Sequence, residues 1–181
     1  MAKRDEQRVE DLVAINAAGQ SVLVIESPYY ADVAAALREG AIAELDAAGA
    51  GYEIIAVPGA LEIPQALGQA VANGLLAETG AKFAGAIALG CVIRGETSHY
   101  DIVCDNANHW MMRVAMGNRV PLGNAILTVD THAQAMARAE GGRLGKGGDA
   151  ARACLAADPL PLETTGGDTW LFELAADCET P

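Results

Sequence analysis

Aromatic side chains are scarce, at 4% of 181 residues, and positive charge is in short supply: 12 Lys and Arg stand against 24 Asp and Glu, a net charge of −12. That anionic surplus repels polyphosphate backbones and anionic lipid surfaces, which argues against nucleic acid and membrane partners. The four cysteines, at 91, 104, 154 and 178, form no CxxC pair and have no signal peptide ahead of them, so a disulfide scaffold and a zinc site are both disfavoured. No stretch reaches the roughly 18 uninterrupted apolar residues of a membrane span. The chain reads as a reduced, cytoplasmic protein. What it has in quantity is small and branched apolar side chain: hydrophobic residues make up 51% against 20% charged. That is ample for one core, and with so few aromatics it fits helices packed on a covered sheet. The length fits a single domain.

After a polar opening over residues 1–20 that reads as mobile, Ser21–Ile25 (SVLVI) is a continuous apolar run, as in a strand covered on both faces. ADVAAALREGAIAELDAAGAG follows at helical spacing, with Asp32 as candidate cap and Gly49 and Gly51 near the stop. Tyr52–Val57 is a second strand, broken by Pro58-Gly59, and Ile63-Pro64 opens a second helix. Lys82–Leu89 gives a third strand, then a loop from Gly90 to His99 and a helix from about Tyr100 to Gly117. Asn124–Thr128 is a fourth strand, and the helix after it is capped by Asp130 or Thr131. GGRLGKGG, Gly141 to Gly148, reads as a flexible loop, and Asp149–Ala157 as a last helix. Four strand–helix alternations of these lengths fit right-handed crossovers, which predicts an α/β domain over residues 21–157: a parallel sheet with helices on both faces and ligand at the strand carboxyl ends. Residues 158–181, richer in Pro, Gly, Thr and acids around one apolar patch, read as a tail without an assignable role. So much apolar helix surface on a small sheet with open edges favours an oligomer.

The loops after the first three strands hold the residues of interest. Tyr29 and Tyr30 are either surface tyrosines beside a turn or a platform for a heteroaromatic ring. In Pro58-Gly59-Ala60-Leu61-Glu62-Ile63-Pro64, Glu62 is either an ordinary first-turn acid stabilised by the helix dipole or a ligand-binding group. Backbone N–H groups from Gly95 to Ser98, just ahead of a helix, form a natural anion site, and His99 beside them is a candidate acid or base. His109 and His132 have no such setting, and no carboxylate or thiol stands at metal-ligand spacing. Arg138, Arg143 and Lys146 are either solvated loop cations or a cluster that holds one phosphate. GGRLGKGG is not a nucleotide-triphosphate loop, since Glu140 stands where glycine is needed and Gly147 follows Lys146.

Taken together, VPGALEIPQAL (Val57 to Leu67), IALGCVIRGETSHYDIV (Ile87 to Val103) and ILTVDTHAQAMARA (Ile126 to Ala139) resemble the lumazine synthases of riboflavin biosynthesis. The resemblance covers roughly Ser21 to Leu155. It implies a flavodoxin-like three-layer αβα sandwich with strand order 2-1-3-4. It also implies assembly as homopentamers, in some members joined into an icosahedral shell. The implied reaction condenses 5-amino-6-(D-ribitylamino)uracil with 3,4-dihydroxy-2-butanone 4-phosphate, releasing phosphate and water, with no metal and no organic cofactor. By the same resemblance Tyr29 stacks on the pyrimidine, Ala60, Leu61 and Glu62 line the ribityl and ring site, and Cys91, Val92 and Ile93 offer backbone contacts to the pyrimidine. Glu96 and Thr97 through their N–H groups, with Arg138, hold the butanone phosphate; Lys146 matches a basic position of that loop, and His99 matches the proton-transfer histidine. Asn124 falls where many members place a Phe that closes the site from the neighbouring subunit. Tyr30 and Leu61 also depart from the common Asn and Phe, and the Leu61 and Asn124 replacements remove ring packing around the pyrimidine. A shell-forming structural protein and a flavin-binding carrier of the same fold are the rival readings.

Overall fold

The computed structural model describes residues 15–77 and 79–157. The opening before residue 15, the expected tail 158–181 and Cys178 lie outside the described residues. Chain order runs β1 (Ser21–Glu26), α1 (Ala31–Ala48), β2 (Gly51–Ala56), α2 (Glu62–Ala72), β3 (Gly85–Ile93), α3 (His99–Gly117), β4 (Leu122–Val129), α4 (His132–Ala139), a 3-10 turn (Gly142–Leu144) and α5 (Lys146–Ala156). All pairings are parallel and the order is β2-β1-β3-β4, with Ile25 opposite both Ile55 and Ala88 and Ile93 opposite Val129. This is the three-layer α/β sandwich expected.

The layers follow from alternation along the central strands. Successive β side chains point to opposite faces, so Val22 and Val24 pack with Val33, Leu37 and Leu45 of α1 and with Ala150 and Leu155 of α5. Leu23 and Ile25 pack on the other face with Ile63 and Leu67 of α2 and Met111 of α3. These side chains are almost wholly removed from water, the Val, Leu, Ile and Met among them each contributing about 1.5–3 kcal/mol of transfer free energy.

Three boundaries depart from the sequence reading. The packed body begins before Ser21: Ala17 is buried and its N–H donates to the Ala48 carbonyl. β3 does not stop at Leu89 but runs to Ile93, because Gly90, Cys91 and Val92 continue the ladder opposite Ile126, Leu127 and Thr128. The expected flexible loop Gly141–Gly148 is instead a 3-10 turn followed directly by α5, whose first residue is Lys146. Gly147 is required there because a Cβ would collide with the Leu37 carbonyl oxygen, so the two helix backbones touch. At α4 the choice of cap resolves to Thr131, whose Oγ1 accepts from the Gln134 N–H at 3.2 Å.

The outer surfaces are less well covered. Every residue of edge strand β2 is exposed, Tyr52, Ile54 and Ile55 among them. α3 presents Ile102, Trp110, Met112 and Met116 outward, the last 74% exposed. No helix among the described residues is long and apolar enough to cross a membrane.

Candidate functional site

A cleft of about 330 Å³ opens at the carboxyl ends of β1, β2 and β3, within the usual size of a small-molecule site. Its wall is built by three loops: Tyr29 and Tyr30 after β1, Gly59 to Glu62 after β2, and Cys91, Val92, Ile93, Gly95, Thr97 and His99 at and beyond the end of β3, backed by Tyr100 and Val103 of α3. Most of the residues singled out in the sequence therefore come together. Glu96 lies between two lining residues and is exposed.

β3 outruns β1, and this shapes the site. The β1 pairing ends at Leu89, opposite Glu26, while β3 continues to Ile93 against β4 alone. Cys91 to Ile93 thus have no β1 partner on the cleft side, leaving a strand edge where backbone donors and acceptors can pair with a planar amide-bearing ligand. Cys91 contributes shape and backbone rather than a nucleophile: burial, with the charge of Asp32 and the neighbouring Cys104 adding, pushes its thiol up to about 11.

Tyr29 is 72% exposed and meets the half-buried Tyr30 edge-on, ring centroids 5.1 Å apart at 69°. One face of Tyr29 is thereby available for stacking. Burial pushes the Tyr30 hydroxyl above its ordinary range, with Tyr29 and Cys91 adding. Glu62 is the first residue of α2, where a carboxylate is favoured by the helix dipole. Its Oε2 lies over the Gly59 turn, only 2.9 Å from where a Cβ would stand, so glycine is what lets the carboxylate fold back toward the cleft. His99 begins α3, and its N–H donates weakly to Thr97 Oγ1 at 3.4 Å. The imidazole thus stands beside the turn that leads into the N-terminus of α3.

Other expected residues stand elsewhere. Asn124, on edge strand β4, donates to Asn108 Oδ1 and accepts from the Ile126 N–H, both at 2.8 Å, and does not line its own chain's cleft. Arg138 donates to the Gln134 carbonyl at 2.8 Å. None of Arg138, Arg143 and Lys146 lines the cleft of its own chain, and Arg143 is committed to Glu44. Its Nε and Nη2 donate to the Glu44 carboxylate at 2.9 and 3.3 Å, while Arg152 donates to the same carboxylate at 2.5 Å. Lys146 pairs with Asp149 at 3.1 Å. The cause is burial: Glu44 is 6% exposed, and a buried carboxylate draws in whatever cations lie within reach. His132 pairs with Asp32 at 2.8 Å, and His109 meets the Trp110 ring edge-on.

Two features escaped the sequence reading. Glu26, at the end of β1, is 5% exposed and bound by Arg38 at 2.7 Å. Arg94, just past β3, reaches both Asp101 and Asp130. Arg38 stands 12 positions from Glu26, and Arg94 stands 7 and 36 positions from its two acids; each pairing crosses from one element to another, where spacing along the chain gives no signal.

The model of the 6,7-dimethyl-8-ribityllumazine synthase family matches residues 19–159. Proteins carrying that name are similar throughout the described fold. The one from Methylocella silvestris is 52% identical over 141 residues, covering 78% of this chain and 85% of its own. The one from Nitrobacter hamburgensis is 49% identical over 137 residues, covering 76% and 83%. The one from Rhodopseudomonas palustris, named 6,7-dimethyl-8-ribityllumazine synthase 1, is 51% identical over 138 residues, again covering 76% and 83%. With a core, a sheet order and a cleft that agree with the resemblance read from its motifs, the chain belongs to the 6,7-dimethyl-8-ribityllumazine synthase family.

Proposed function

We propose that the cleft joins 5-amino-6-(D-ribitylamino)uracil to 3,4-dihydroxy-2-butanone 4-phosphate, forming 6,7-dimethyl-8-ribityllumazine with release of phosphate and water, a step of riboflavin biosynthesis. The observation that carries this reading is the open edge of β3 facing Tyr29 across one cleft. A pyrimidine fits between an aromatic face and a row of backbone amides. Tyr29 stacks on its ring, Cys91, Val92 and Ile93 pair with its edge, Ala60 and Leu61 line the floor, and Glu62 accepts hydrogen bonds from the ribityl hydroxyls. The Glu96 and Thr97 N–H groups at the start of α3 take the phosphate. Holding two intrinsically reactive molecules together supplies up to ~7–11 kcal/mol by proximity. The rest is proton movement: the amine attacks the ketone and water leaves as an imine forms, phosphate is eliminated, and the ribityl-bearing nitrogen closes the ring with loss of further water. His99 takes and returns the protons, histidine being the side chain whose ordinary range suits both roles near neutrality.

We further propose that each site is completed by an adjacent copy in a homopentamer, and that pentamers are the unit of any larger shell. Asn124, Arg138 and Lys146 stand outside their own chain's cleft, and a phosphate site needs a cation. The exposed apolar side chains of β2 and α3 supply surface for such contacts. The cytoplasm suits Cys91 and Cys104, which are thiols rather than disulfide halves. Turnover of the two substrates, followed by the appearance of the lumazine and measured alongside sedimentation at assay concentration, tests both statements. Absence of turnover refutes the reaction, and full activity in a monomer refutes the shared site.

A further inference from the structure

The turn Gly95–Ser98 is held at its far end by the Ser98 carbonyl, which accepts from the Asp101 and Ile102 N–H groups at 3.1 and 3.4 Å, and by little else. All four residues are exposed, a Cβ on Gly95 would touch nothing within 4 Å, and the 3.4 Å contact from the His99 N–H to Thr97 Oγ1 is long for a hydrogen bond. Anion binding by backbone N–H groups needs those groups aimed at one point. Arg94 ties the two ends of the turn to each other and to β4. Its N–H donates to the Val129 carbonyl at 2.9 Å, extending the β3–β4 ladder by one residue. Its Nη2 donates to Asp101 in the first turn of α3 at 3.1 Å, and its Nε to Asp130, just after β4, at 3.2 Å. Its guanidinium carbon lies 4.0 Å from the centre of the Tyr100 ring, and Tyr100 lines the cleft while Arg94 itself does not. One planar group thus joins the end of β3, the start of α3 and the turn after β4, using two donors and one face, which an ammonium cannot do.

We propose that Arg94 is a positioning residue that holds the Gly95–Ser98 turn, and with it the Tyr100 wall, in the geometry that binds the phosphate of the four-carbon substrate. The proposal rests on the assignment of that turn to phosphate made above. A rival explanation is that Arg94 attracts the phosphate simply as a charge, and the two differ in sign. The test compares Arg94→Lys and Asp130→Asn with the unaltered protein, measuring KM for each substrate and amide exchange at Arg94, Asp101 and Ile102, which flank the turn. Asp130→Asn leaves the Thr131 cap of α4 in place. As a clasp, Arg94→Lys raises KM for the butanone phosphate about tenfold and Asp130→Asn about threefold, with KM for the pyrimidine within about twofold, the scale of a networked surface pair. As a charge, lysine restores binding and loss of the Asp130 anion lowers KM; either result overturns the clasp. Amide exchange reads the clasp without substrate at the N–H groups that bond the two ends of the turn, Arg94 to Val129 and Asp101 and Ile102 to Ser98: both variants exchange faster there, and unchanged exchange overturns it. If the unaltered protein turns over neither substrate, the reaction reading falls, and the exchange result alone decides for or against the clasp.

Discussion

Replacing Arg143 and Arg138 separately by alanine distinguishes the phosphate site read along the chain from the one the fold permits. Arg143 is held by Glu44 through two hydrogen bonds of 2.9 and 3.3 Å, with its own side chain 55% exposed and the Glu44 side chain 8% exposed. Exposed pairs contribute ~0.2–1 kcal/mol, and breaking a buried pair costs ~3–5 kcal/mol. Here one partner is in water, and Glu44 keeps Arg152 after the change, so Arg143→Ala is expected to cost about 1 kcal/mol. With a urea dependence of ~1–3 kcal/mol per molar, the unfolding midpoint falls by about 0.3–1 M at fixed protein concentration. KM for the butanone phosphate stays within about twofold. Arg138→Ala reverses the pattern. Loss of a charge-assisted hydrogen bond of ~1.5–3 kcal/mol to the phosphate raises that KM about ten- to a hundredfold, while the midpoint barely moves. Steady-state kinetics with each substrate varied in turn, beside urea titration of the same preparations, gives all four numbers. If Arg143→Ala raises KM for the phosphate as much as Arg138→Ala does, the assignment of Arg143 to Glu44 is the wrong account of its role.

Three further outcomes are expected. Tyr29→Ala weakens pyrimidine binding in calorimetry by about 1–3 kcal/mol, the range for a lost stacking platform, and Tyr29→Phe has little effect; unchanged affinity in the alanine variant removes the stacking role. His99→Ala lowers the single-turnover rate by at least ~10²-fold, the lower end for a positioned acid or base, while pyrimidine affinity and particle mass persist; wild-type turnover would end the catalytic assignment. With its thiol raised to about 11, Cys91 is neutral at ordinary pH and gains reactivity only as the solution approaches that value. Roughly one part in a thousand is thiolate at pH 8, so alkylation there is slow and Cys91→Ala keeps turnover within a few-fold; rapid labelling at pH 8 contradicts the burial argument.

The order of strands and helices was legible because the continuous apolar run of β1 and the helical spacing along α1 report burial directly, and burial is what forms the layers. At two of the boundaries where the reading failed, glycine was the cause. Gly90 looked like the end of a strand, yet Gly90 to Ile93 stay in the ladder because β4 is long enough to pair with them. GGRLGKGG looked like a loop because glycine weakens an isolated helix by roughly 1 kcal/mol per residue. In the fold that loss is offset by the approach of α5 to α1, which only glycine permits at position 147. Propensity measures the chain alone, and both misreadings came from contacts with another element.

The side chains of the cleft were legible only as motifs, and the ion pairs outside it not at all, because those charges are arranged through space rather than along the chain. Glu44 and Arg143 are 99 positions apart and Arg94 and Asp130 are 36 apart, so neither pair leaves a periodic trace. The same distinction bears on how a protein of net charge −12 accepts a phosphate. In physiological salt, exposed charges are screened beyond ~8 Å, so the overall charge slows the approach of an anion more than it weakens an anion already bound. Binding is then decided within a few ångströms, by the N–H groups of the turn before α3 and by whichever cations stand there. In one chain Arg143 and Lys146 are already paired with acids and none of the expected cations lines the cleft. If the phosphate is held as proposed, its cation therefore has to arrive with a second copy, which makes assembly a condition for binding the four-carbon substrate rather than only a source of stability. Diluting the assembled protein through its dissociation range should accordingly weaken binding of the butanone phosphate more steeply than that of the pyrimidine. Parallel loss of both would place the cation within a single chain.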